Sequence, residues 1–95
     1  QKSFIFSEVK GVLDNLPNLD KIINKYSEDW TVSRMSSTDR NILRLAVYEI
    51  LYCQDIPVSV SINEAIENAK KYGDEKSYKF INGLLGSIAK DRFPR

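Results

Sequence analysis

The sequence predicts an all-α bundle of about five helices, and three observations predict it. Apolar residues recur at helical spacing through nearly the whole chain. Pro17, Pro57 and Gly73 fall between the periodic runs, where helices start or stop. No stretch alternates apolar and polar side chains as a half-buried strand does. With 95 residues, 42% hydrophobic and 28% charged, and no repeat, linker or low-complexity tract, the chain reads as one small helical domain spanning 1–95.

The first helix, about Lys2 to Leu16, places Ile5, Val9, Val12, Leu13 and Leu16 on one stripe. Pro17 breaks it, because the residue before a proline is pushed out of the helical region. Asn18 then caps a second helix carrying Leu19, Ile22, Ile23 and Tyr26, with Trp30 near its end. Ser36 and Asp39, three residues apart, resemble a capping box for the third helix. That helix is apolar nearly all round: Ile42, Leu43, Ala46, Val47, Ile50 and Leu51 cover one half, and Leu45, Tyr48 and Tyr52 the other. Such a helix is buried, so it is expected at the centre of the fold.

The fourth helix starts between Val58 and Ser61. Pro57 at a first-turn position competes with a Ser61–Glu64 capping box. Its stripe is Val58, Ile62, Ala65, Ile66, Ala69 and Tyr72, with Glu67 and Lys71 spaced to pair on the wet side. Gly73 ends it. The fifth helix, about Glu75 to Asp91, buries Tyr78, Ile81, Leu84, Leu85, Ile88 and Ala89.

Composition excludes much chemistry. There is no histidine, the commonest general base and metal ligand, and no glycine-rich phosphate loop. The acidic residues are scattered at helix-surface spacing. An enzyme is therefore not expected, nor is any cofactor. Cys53 is the only cysteine, which fits a reducing, cytoplasmic setting, and no apolar run reaches membrane-spanning length. The net charge is +1, but basic residues outnumber acidic ones only in the C-terminal third, where any anion-binding surface is expected. The chain opens on Gln1 and its only methionine is Met35, which reads as a fragment or trimmed form.

Three groups of residues are candidates for binding. Gly83 and Gly86 interrupt the fifth helix on the side that carries Lys76, Lys79 and Lys90. A strip without side chains, flanked by lysines, admits a phosphate backbone; tight packing of a neighbouring helix explains it more economically. Tyr72 and Phe80 flank the turn beside those lysines, and either stack on unpaired bases or clamp the turn as core. Asp39 favours the helix dipole without any partner, and Arg40 and Arg44 present a basic edge or, more commonly, pair with acids elsewhere. Asn63 and Asn82 are expected in interhelical or capping hydrogen bonds, and Trp30 with Arg34 is expected to pack and order the loop.

Taken in order and spacing, Trp30-x-x-x-Arg34, Asp39-Arg40-Asn41-Ile42-Leu43-Arg44-Leu45-Ala46, Tyr48-Glu49, Ile56-Pro57, Ile62-Asn63-Glu64-Ala65, Ala69-Lys70-Lys71-Tyr72-Gly73 and Lys79-Phe80-Ile81-Asn82-Gly83 resemble the NusB family of transcription antitermination factors. The likeness runs from about Ile22 through Ala89. It implies two small helical sub-bundles and a role in ribosomal RNA operon transcription within the RNA polymerase antitermination complex. It implies binding of boxA RNA together with NusE, a small-subunit ribosomal protein. By matching position it places Asp39 and Arg40, with Arg44 on the same edge, at the NusE-facing surface, and Tyr72, Lys76, Lys79 and Phe80 near RNA.

One departure matters. The family opens with an arginine-rich segment that contributes to RNA binding, and nothing here resembles it. Weak RNA affinity and an uncovered apolar face, inviting self-association, are the expected consequences. Two other readings fit the same likeness. One is a NusB-like appendage of a ribosomal RNA cytosine methyltransferase, although no cofactor-binding domain begins after Ala89 in these residues. The other is a purely protein-binding helical module.

Overall fold

The computed structural model describes residues 2–27 and 30–92, with side chains described from residue 8 onward. Its elements are α1 (Lys2–Asp14), α2 (Leu16–Ser27), a 3-10 turn (Val32–Arg34), α3 (Ser37–Tyr52), α4 (Val58–Tyr72) and α5 (Glu75–Arg92). No strand occurs among the described residues. Helix α3 is the hub: α1, α2, α4 and α5 all pack on it, α4 lies against α5, and α5 also meets α2. Leu19, Ile23, Leu43, Val47, Ile81, Leu85 and Ile88 are wholly inaccessible and form the shared centre.

The second half of α3 is less buried than its composition predicts. Leu45 and Tyr48 are only half-buried, and Tyr52 is exposed. The reason is polar: the Tyr52 hydroxyl accepts a hydrogen bond from Asn18 Nδ2 at 2.7 Å, which holds the ring at the surface. Tyr48 instead packs where α1 crosses, and Gly11 makes the crossing possible, since a Cβ there would collide with the tyrosine ring.

The helix boundaries differ from expectation in two places. Helix α2 begins at Leu16, so Pro17 lies inside its first turn, where a missing N–H costs nothing. Asn15 is the pivot. Its side chain donates to the Gly11 carbonyl at 2.7 Å, and its own carbonyl accepts the first bond of α2 from Leu19. Asn18, expected as the cap, is occupied with Tyr52. Helix α4 begins at Val58 after Pro57, so the proline signal prevails over the Ser61–Glu64 box. Ser61 is buried, and its hydroxyl donates to Glu49 Oε1 at 2.9 Å.

The apolar stripe of α1 is divided. Val12 and Leu16 are partly buried, whereas Val9 and Leu13 are 52% and 61% exposed. Ile5 lies outside the residues whose side chains are described. Glu67 and Lys71 form no ion pair; the Lys71 ammonium sits over the Tyr72 ring instead, 5.3 Å from its centre.

Candidate functional site

The turn between α4 and α5 is built by three consecutive devices. The Gly73 N–H bonds the Ala69 carbonyl at 2.8 Å and closes α4. A Cβ at Gly73 would press on that same carbonyl and on the Ser77 side chain, so only glycine fits without a shift. Asp74 then caps α5: its Oδ1 accepts the Ser77 N–H at 2.8 Å. The bond from the Ser77 backbone holds the Asp74 carboxyl below the usual carboxylate range. Sequence reasoning missed this cap, although an aspartate three residues before a serine, just after a glycine stop, is a readable signal.

This turn sets the aromatic and basic residues in place. Tyr72 is 64% exposed, so it is not a core clamp. Lys76 is exposed, and Lys79, also exposed, sits 3.3 Å from Glu75, a surface pair of little strength. Phe80 is half-buried and packs against the core. It forms the ridge between two clefts. One, of about 350 Å³, is lined by Trp30, Ser36, Asp39, Asp74, Lys76, Ser77 and Phe80. The other, of about 380 Å³, is walled by Tyr26, Ser27, Lys79, Phe80, Gly83 and Ser87, with Leu84 as its apolar floor.

The first cleft joins what sequence separated. Asp39, read as a protein-facing residue, lines the same depression as Lys76 and Phe80, read as RNA-facing. The Ser36 hydroxyl accepts the Asp39 N–H at 3.1 Å, the backbone half of the expected capping box. The Asp39 carboxylate does not reach back; its Oδ2 accepts from the Ser77 hydroxyl, and its Oδ1 is buried with no hydrogen-bond partner among the described residues. Trp30 is 48% exposed on this cleft and does not pack as the loop-ordering residue expected. The loop is ordered instead by Asn24, whose Oδ1 accepts the Val32 N–H at 2.7 Å.

Arg40 and Arg44 do not form a free basic edge. Arg44 is held by Asp20 in a bidentate pair, Nε to Oδ1 at 2.8 Å and Nη2 to Oδ2 at 2.7 Å, and this raises its pKa. Arg40 reaches the Val32 carbonyl at 3.4 Å and braces the 3-10 turn. Asn63 and Asn82 are exposed, and within the described residues neither amide side chain is hydrogen-bonded, so the expected interhelical bonds are not made.

A second polar focus lies away from the turn. Glu49 is buried on α3 beside Ser61, and Glu8 of α1 faces it. Burial, with the nearby carboxylates of Glu49 and Glu64, raises the Glu8 pKa to about 8. No group of three or more His, Cys, Asp or Glu among the described residues is arranged to hold a metal ion. No described helix is long and apolar enough to cross a membrane.

A family model described as the NusB family matches residues 1–90. The chain is 52% identical over 87 residues to the transcription antitermination protein NusB of Thermotoga sp. strain RQ2, covering 92% of this chain and 61% of that protein. It is 52% identical over 83 residues to the protein of the same name from Bacillus subtilis, covering 87% and 63%. A solved structure of T. maritima NusB superposes with a TM-score of 0.87 at 50% identity, covering 93% of this chain and 62% of that one. The chain thus spans about three-fifths of the length of the relatives it matches.

Proposed function

The chain belongs to the NusB family, and from that premise we propose that it is a transcription antitermination factor that binds boxA-type single-stranded RNA together with NusE. It acts in the cytoplasm, within the RNA polymerase antitermination complex on ribosomal RNA operons. The observation that carries this reading is the identity of about half, over most of this chain, to relatives named for antitermination.

The geometry supports a division of labour. Tyr72 offers an open ring for a base, Lys76 and Lys79 meet phosphates, and Phe80 walls the adjoining clefts. Asp39 and Arg40, with Arg44 behind them, form the NusE-facing side. Asp39 lines an open cleft with Ser36 and Ser77, and these polar groups support docking of a protein segment there. Arg40 and Arg44 contribute by fixing the 3-10 turn and α2 against α3.

Fluorescence anisotropy tests the reading, with a boxA-type strand and a scrambled control at two salt concentrations, with and without NusE. Selective binding that strengthens with NusE is expected. Equal binding to both strands, or none in the presence of NusE, would overturn it.

A further inference from the structure

We propose that Lys71 is a positioning residue for RNA: its ammonium covers one face of the Tyr72 ring, so that the ring takes a single base on its other face. The inference rests on the RNA-binding reading above and deepens it, adding the residue that sets how the ring is presented.

Tyr72 is the last residue of α4, with Gly73 directly after it. Its ring is 64% exposed and lies outside the side chains packed on the core. Core packing therefore does not fix the two side-chain torsions of this tyrosine. A ring held by nothing else would lose that freedom only when a base stacked on it, and the stack would be weaker by that ordering cost.

Lys71 supplies the constraint. Its ammonium stands 5.3 Å from the ring centre, within the distance at which a cation is drawn to the negative face of an aromatic ring. Glu67 lies one turn back on α4, at the spacing that favours an ion pair, yet the ammonium turns to the ring. Lysine suits this position because its methylene stem can lie along an apolar surface while the charge stays wet.

The neighbouring lysine makes the same interaction for a different purpose. Lys70 sets its ammonium 5.4 Å from the centre of the Tyr78 ring, and Tyr78, half-buried on α5, packs against the core. Lys70 thus ties the end of α4 to the first turn of α5. Lys71 acts on a ring that the core does not use. The consequence is an ordered stack of lysine, ring and base. A ring open on both faces can slot between two bases, whereas one with an ammonium on one face accepts a single base.

The test uses the full chain with NusE and a boxA-type strand, with affinity read by anisotropy and folding by thermal denaturation. The variants are Lys71→Ala, Lys71→Arg, Tyr72→Ala, and Lys71→Ala combined with Tyr72→Ala. Lys71→Ala should weaken RNA binding by about two- to fivefold, the fold-change of one exposed cation–π contact. Its Tm should match the parent's, because both side chains are exposed. Lys71→Arg keeps a cation for the ring face and should bind as the parent does. The combination is decisive: once Tyr72 is gone, removing Lys71 should cause no further loss. A loss of the same size in both backgrounds would mean that Lys71 meets a phosphate directly, and would overturn the proposal while the RNA reading stands. Unchanged affinity in Lys71→Ala would overturn it in the same way. A parent chain that binds no RNA even with NusE would end the RNA reading and the positioning role together.

Discussion

The Ser77 hydroxyl donates to Asp39 Oδ2 at 3.2 Å and ties the first turn of α5 to the first turn of α3 across 38 residues of sequence. The same Ser77 gives its N–H to Asp74, so one residue closes the helix cap and orients the carboxylate in the cleft. Ser77→Ala keeps the cap and removes the hydroxyl. It leaves Asp39 with both oxygens unfilled, which should cost about 1–3 kcal/mol. A drop in Tm accompanied by a weaker NusE complex is expected; a variant as stable as the parent would show the contact to be dispensable.

The Arg44–Asp20 pair depends on the planar fork of the guanidinium, which lysine cannot reproduce. Arg44→Lys is expected to lower stability by about 1–2 kcal/mol, and Asp20→Ala by a similar amount. A double-mutant cycle should return a coupling energy well above about 0.5 kcal/mol. Coupling near zero would mean the arginine is held for a partner, not for the fold.

Glu8 makes folding stability depend on pH. Its folded-state pKa, about 8, lies above the ordinary glutamate value of 4.5, so the folded chain holds a proton that the unfolded chain releases. The contribution is full below about 4.5, declines as pH rises toward 8, and is gone above it. Glu8→Gln should flatten that stretch of the stability–pH curve and make the chain more stable than the parent at pH 8. Denaturant melts at pH 5 and pH 8 decide the matter, and an unchanged slope in the variant refutes it.

Gly11→Ala tests the α1–α3 crossing. The added methyl would overlap the Tyr48 ring, and overpacking of this kind costs roughly 1–3 kcal/mol. Amide exchange should speed up in α1 before the rest of the bundle. Uniform protection in the variant would show that Tyr48 yields without loss.

Tyr72→Ala removes a ring that contributes little to the core, so Tm should barely move. RNA affinity should fall by roughly 5- to 100-fold, the range of one base–aromatic stack. Lys79→Ala should lower the slope of log affinity against log salt by about 1, uniformly across RNA sequences. Loss of stability together with affinity in Tyr72→Ala would assign the ring to folding.

Much of this was legible in the sequence because it is local. A helix is written in side chains three and four residues apart, so the periodic runs and their Pro and Gly breaks fixed five helices with α3 at the centre. The Ser36–Asp39 spacing located the start of α3, and the ordered motifs from Trp30 to Gly83 identified the family. Misreadings arose where two local signals competed. At Asn15–Asn18 and at Pro57–Ser61 the amide or hydroxyl that looked like a cap had a better partner elsewhere in the fold.

Those partners are what only the tertiary structure decided. Arg44 meets Asp20, Asp39 meets Ser77, Asn18 meets Tyr52 and Ser61 meets Glu49 because packed helices bring distant residues within 3.2 Å. No periodicity encodes such a distance. The same holds for empty space: Gly83 and Gly86 read alike whether a helix covers them or nothing does. Which residues form each helix follows from bonds within a segment; which faces stay open follows from how the segments pack, and that sum over the whole chain determined where this protein can be touched.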